Sequence, residues 1–391
     1  LISASYLLNH LLAFVLVSLE VRHFFHPGVM TGGKFTLVEC ATYSHFWILL
    51  AALLLVFRFK FETPFSMPAA VIILVFAIVK IFMGEVTKFS PVVAHHDVGN
   101  LPVLNWLIYV YLVPAALLYL VYRITKLGKE AFDTLGRGLP LVFFSLGLVF
   151  LTFEVRQFFH GAFLDGGNIF LNESATYSHL WLVLAALLII IHMKFRTPFA
   201  AEAAYLLVLV SMAKIILRDV LWASPLFYHH DVGSLPVLNW LVYVYFLPIL
   251  LLYGVFRISG DSGALKGIKP FLLYFSMFLS LFFLTLEVRQ FFHGNFIDDR
   301  TILQSENYAY SVAWIVYSFA LLIFGVIKDN RFSRIASLVV IYLAVAKVFV
   351  YDLRHLKDLY RVASFLGLGI SLLAISYLYQ RFVFGSGDKD Q

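Results

Sequence analysis

Three times in this 391-residue chain a carboxylate, a guanidinium and an imidazole stand together at the end of a long apolar run. Glu20-Val21-Arg22-His23-Phe24-Phe25-His26 returns 134 residues on as Glu154-Val155-Arg156-Gln157-Phe158-Phe159-His160, and 133 residues further as Glu287-Val288-Arg289-Gln290-Phe291-Phe292-His293. The arginine and the final histidine are four residues apart and share a helix face. The next apolar run opens each time on a glutamate followed by tyrosine and serine: Glu39, Tyr43, Ser44 and His45; Glu173, Tyr177, Ser178 and His179; Glu306, Tyr310, Ser311 and Val312. Lys80, Lys214 and Lys347 close the third run, each with an acid five residues later, Glu85, Asp219 and Asp352. Two copies then carry His95-His96-Asp97-Val98-Gly99 and His229-His230-Asp231-Val232-Gly233, each leading into Leu-Pro-Val-Leu-Asn-Trp. The third copy lacks this loop and reads Asp352-Leu353-Arg354-His355 there.

Charged groups near lipid need partners. The threefold set therefore predicts an internal ion-pair clamp in each copy, in which Glu20, Glu154 or Glu287 and the neighbouring arginine meet the lysine of the third run. The same residues, with the tyrosines and imidazoles, are candidate lining for a polar cleft. Imidazoles beside a carboxylate can bind a transition metal or exchange protons near neutral pH. His95, His96, Asp97, His229, His230 and Asp231 are thus candidate ligands of a divalent metal, with plain solvated loop imidazoles as the alternative. Compact packing would bring His26, His45, His95, His96 and Asp97 into one outer pocket, and His160, His179, His229, His230 and Asp231 into a second. The third copy has Val312 and no such loop, so chemistry beyond clamping is expected in the first two. Neighbouring Ser and His make no catalytic triad, because adjacent helix residues point about 100° apart.

The elements that must position these residues are read from the apolar runs. Hydrophobic residues make up 61% of the chain and charged residues 13%, with a mean hydropathy of +0.88. Runs of about 17 to 23 apolar residues suit helices crossing a hydrocarbon core, and alternating strands of a barrel are absent. The runs fall at 4–25, 40–57, 67–84 and 102–122; 139–160, 174–191, 201–221 and 236–256; and 271–292, 307–327, 333–351 and 360–380. The expectation is an all-α polytopic membrane protein of about twelve transmembrane helices in three parallel four-helix repeats, at 1–123, 139–257 and 270–382, with a flexible tail at 383–391. Four spans per repeat is an even number, so the repeats share one orientation and are not inverted.

Sixteen Lys and Arg residues lie on the side of the repeat linkers and tail, against seven on the side of the motifs. The first side is expected to be cytoplasmic and the motif-bearing face periplasmic. The formal charge of +6 serves orientation here and implies no nucleic acid. Cys40 is the only cysteine, which excludes an internal disulfide and a multi-cysteine metal site. There is no phosphate-binding loop for ATP. The start within an apolar run suggests part of a longer protein.

The segment Ala346-Lys347-Val348-Phe349-Val350-Tyr351-Asp352-Leu353, with Leu359-Tyr360-Arg361-Val362-Ala363-Ser364-Phe365-Leu366-Gly367-Leu368-Gly369, resembles a family of large bacterial polytopic membrane proteins known only as a domain of unknown function. The Glu-Val-Arg-x-Phe-Phe-His and Glu-x3-Tyr-Ser blocks are similar to its pattern. The resemblance implies a bacterial inner-membrane protein with further spans and a soluble segment ahead of Leu1, and carries no activity to transfer. The polar residues gathered at one face lead to an expected outward-facing cleft that binds or processes a cell-envelope lipid, glycan or lipid-linked substrate. A transporter or proton conductor using the buried ionisable groups, and a structural scaffold, are the alternatives.

Overall fold

The computed structural model describes residues 2–63, 65–127, 133–259, 264–299 and 301–350, with isolated positions between 366 and 377. Ten described helices are long and apolar enough to cross a membrane, and Val242–Ile258 is a shorter apolar one. Of the twelve expected runs, 360–380 lies largely outside the described residues, as do Asp352 and the loop that follows it. Among the described residues no strand forms, only two isolated antiparallel bridges. The chain divides into two compact units, Leu1–Val208 and Leu209–Gln391.

In the first unit, α1 (Ile2–Phe25), α2 (Leu37–Phe61), α3 (Ser66–Lys80), α4 (Val113–Leu127), α5 (Asp133–His160) and α6 (Leu171–Phe195) follow one another. Thr36 starts α2 by accepting a hydrogen bond from the Glu39 amide at 3.1 Å, satisfying one of the orphan donors of the first turn. Helix α2 is the hub: it packs against α1, α3 and α4, and α5 packs against α4 and α6. Ala51, Ala70 and Ala77 are fully buried with Ile48, Leu55, Leu74 and Leu118. Small side chains let the α2 and α3 backbones approach, the packing that lipid-embedded helices rely on when no hydrophobic force separates protein from solvent. The outward faces stay apolar, as with Leu8, Leu12 and Leu16 on α1, and imply lipid contact.

Helix α7 (Ala200–Lys214) leads into the second unit, which holds α8 (Leu247–Ile258), α9 (Ala264–His293), α10 (Gln304–Ile327) and α11 (Arg331–Val350). Helix α9 packs against α8, α10 and α11, and α10 pairs with α11 as a hairpin.

The helices carry an irregularity that hydrophobic periodicity does not announce. Helix α3 continues as a π-helix over Ile81–Lys88, and α7 over Ile215–Trp222. A second pair of π segments, Ile108–Leu112 and Val242–Phe246, opens α4 and α8. In an α-helix residues five apart are rotated by about 140°. The wider i to i+5 turn brings Lys80 over Glu85, at 2.8 Å, and Lys214 over Asp219, at 3.0 Å. Tyr111 and Tyr245, both fully buried, donate their hydroxyls to the backbone carbonyls of Glu85 and Asp219, satisfying groups that the wide turn would otherwise strand.

Candidate functional site

The three arginines do form clamps, with partners other than those expected. Arg22 Nη1 lies 2.7 Å from Glu39 Oε1, Arg156 Nη1 3.0 Å from Glu173 Oε1, and Arg289 Nη1 2.8 Å from Glu306 Oε1. His26, His160 and His293 reach the second oxygen of the same carboxylates at 3.1, 2.9 and 2.9 Å. Tyr177 and Tyr310 add hydroxyl donors at 2.8 and 2.6 Å, whereas Tyr43 packs beside Phe35 and Trp47. Glu39, Glu173 and Glu306 are fully buried, and each sits in the first turn of its helix, where the macrodipole favours a carboxylate. The expected partners Glu20, Glu154 and Glu287 stand two residues before the arginine and so face another way.

The remaining guanidinium donors fasten the loop between the two helices. Arg156 donates from Nε to Leu164 O at 3.1 Å and from Nη2 to Gly166 O and Gly167 O at 2.6 and 3.0 Å. Arg22 does the same to Met30 O and Gly32 O, and Arg289 to Ile297 O. Gly167 has a φ of +79°, and a Cβ there would fall 2.7 Å from the His160 ring. Gly167→Ala is therefore expected to cost about 1–3 kcal/mol through backbone strain and displacement of the imidazole. Thermal unfolding should show a larger loss than for Gly161→Ala, where φ is +74° and the space beyond is open.

The lysines form a separate knot on the other face of the Tyr-Ser helix. Lys80 Nζ donates to Ser44 Oγ at 3.0 Å, to Glu85 Oε1 and to the Cys40 carbonyl, and Ser44 also donates to Glu85 at 2.7 Å. Lys347 donates to Ser311 Oγ at 2.7 Å and to Asn307 O at 2.8 Å. Lys80 is thus held by Ser44, Glu85 and the Cys40 carbonyl in place of the arginine motif, a correction that follows from the π turn.

The His-His-Asp loops act as latches between successive motif copies. Asp97 pairs with Phe163 as an antiparallel bridge, with Val98 N donating to Ala162 O at 3.0 Å; Asp231 pairs with Phe296, with Val232 N donating to Asn295 O at 2.9 Å. His95 stacks on Phe163 at 4.4 Å and meets Asp165 at 3.0 Å; His229 stacks on Phe296 at 4.1 Å and meets Asp298 at 3.1 Å. Asp97 and Asp231 accept from Gly99 N and Gly233 N, shaping the turn. Glu154 then grips the loop with both oxygens, from Val103 N and Asn105 Nδ2 at 2.8 Å each, and Gln157 Nε2 reaches Gly99 O at 3.0 Å. Glu287 repeats the grip on Val237 N and Asn239 Nδ2 at 2.9 Å each, and Gln290 on Gly233 O at 2.9 Å. Val103 and Val237 have φ of 67° and 66°, rare for a β-branched residue, inside turns closed by Leu104 N to Pro102 O and Leu238 N to Pro236 O at 2.8 Å.

The expected shared pockets are therefore distributed. His26 and His160 belong to clamps, His95 and His229 to latches, and His45 is buried with its ring 4.6 Å from that of Tyr109. His179 is buried in α6. Among the described residues no group of three or more His, Cys, Asp or Glu side chains is placed to hold a metal ion. Asn105, Asn239, Gln157, Gln290, Asp165 and Asp298 were not singled out from the sequence, although each recurs at the motif spacing.

Burial pushes the imidazoles of His96 and His230 below their ordinary value, and the hydrogen bond from His95 holds Asp165 below the usual carboxylate range. A depressed imidazole contributes stability above about pH 6.5 and loses it as the pH falls, because the unfolded chain then takes up the proton first. The Asp165 contribution is lost only further into acid. The thermal midpoint should accordingly fall between pH 7 and 5, and fall less in a His96→Phe/His230→Phe variant.

A family model described as a predicted membrane protein, DUF2339, matches residues 84–223 and again residues 203–382. The chain belongs to the DUF2339 family. It is thus an integral membrane protein of a family defined by sequence, and the clamps and latches described above fall largely within the matched regions. No curated protein and no solved structure matches the chain.

Proposed function

We propose that this chain is a membrane-embedded scaffold of three parallel four-helix repeats, at 1–123, 139–257 and 270–382, with its clamps and latches on the periplasmic face of a bacterial inner membrane. The observation that carries this reading is that the carboxylate at the centre of each motif is fully buried and already occupied by an arginine and a histidine. A general acid or base needs a lone pair or proton within reach of a substrate, and a relay needs partners through the membrane depth. The clamps offer neither. Recurrence of one geometry in each motif copy and two successive family matches support the repeats. Binding of an envelope lipid or glycan is a second reading, favoured by the exposed His95–Asp165 and His229–Asp298 pairs on the motif-bearing face.

Reconstitution into proteoliposomes tests the scaffold. Vesicles holding the chain should leak protons and cations no faster than empty vesicles, while Glu173→Gln should lower thermal stability. Flux that depends on Glu173 would overturn the reading in favour of conduction.

A further inference from the structure

The glutamate that grips a latch loop has a third copy, Glu20, which is exposed and makes no hydrogen bond or ion pair with a described residue. His23, three residues on, occupies the place of Gln157 and Gln290 and is likewise exposed, its ring N–H able to donate to a carbonyl as those amides do. Glu20 opens onto a groove of about 760 Å³ whose other walls are mostly apolar, among them Leu16 and Phe24 of α1, Phe46 of α2, and Trp106, with the mutually hydrogen-bonded Thr42 and Tyr109 beside them.

We infer that this groove is the docking site for one further polypeptide loop of the Gly-x-Leu-Pro-Val-Leu-Asn kind, supplied from outside residues 1–391. Hydrogen-bond complementarity identifies the occupant: at Glu154 and Glu287 the same carboxylate takes one valine amide and one asparagine amide, and the residue three positions on takes the glycine carbonyl. The leucines of such a loop suit the apolar walls. Both loops of this kind in the chain are already gripped, by Glu154 and by Glu287, so neither they nor those of a second copy are free. Val29 and Thr31 stand where Phe163 and Asp165 hold His95. The occupant therefore needs no His-His-Asp. The inference deepens the scaffold reading, since it makes the α1 edge a joint like the two internal ones, but it has its own readout.

The test uses the full chain in phosphatidylcholine nanodiscs and a fluorescein-labelled peptide of sequence Val-Gly-Asn-Leu-Pro-Val-Leu-Asn-Trp, followed by anisotropy up to millimolar peptide. Saturable binding beyond that of empty nanodiscs is expected. It should weaken about tenfold or more with Glu20→Ala, and equally with alanine in place of the peptide asparagine, since each removes hydrogen bonds to a charged group. Glu20→Ala should leave the thermal midpoint unchanged, because Glu20 holds no described residue of the chain. Absence of saturable binding, or equal binding by the Glu20→Ala chain, would overturn the inference and leave the internal latches untouched. Glu20-dependent retention of an aminophospholipid, detected by mass spectrometry of the purified chain, would overturn it in favour of a lipid occupant.

Discussion

Glu173→Ala is expected to destabilise the full chain by about 3–5 kcal/mol, among the largest effects of any single substitution, because it strands a buried guanidinium. Arg156 is nine-tenths buried and would keep its loop carbonyls while losing its counter-charge, and His160 and Tyr177 would lose their acceptor. Arg156→Ala should cost a similar amount, and the double variant much less than the sum, since the pair is lost together. Unfolding of the purified protein in mixed micelles by increasing denaturing detergent measures all three. Additive losses would mean that the two side chains do not depend on one another.

The second large effect is expected at the latch. Glu154→Ala removes the acceptor of two hydrogen bonds to a charged group, each worth about 1.5–3 kcal/mol, and with it the hold on the strained Val103 turn. The loop should then relax its positive φ and detach from 162–165. Val103→Gly separates the two contributions: glycine adopts this φ without penalty, and Val103 is exposed, so little packing is lost. The same unfolding experiment should show Val103→Gly at or slightly above the parent stability and Glu154→Ala well below it.

The helical architecture is legible in the sequence because lipid demands it. Long apolar runs must close their backbone hydrogen bonds within themselves, and any ionisable residue among them advertises a partner. The identity of each partner is less legible. Arg156 could be assigned to a clamp from its burial cost alone, yet its choice of Glu173 over Glu154 depends on which way each side chain leaves its helix. Lys80 and Glu85 are five residues apart, a spacing that reads as unpaired on an α-helix and pairs only on the π turn. The His-His-Asp loops looked like chemistry because imidazole and carboxylate are versatile in isolation. Their use as a latch depends on Phe163 and Asp165, about seventy residues away, which no local pattern connects to them.

Hydrogen–deuterium exchange of the full chain in nanodiscs, resolved over 95–106 and 154–167, tests most directly whether these polar motifs are fastenings. The latch geometry predicts that both segments are protected in the parent chain and that Glu154→Ala exposes them together, while 171–195 stays protected. Free exchange of 95–106 in the parent chain, or loss of protection confined to one of the two segments, would contradict it.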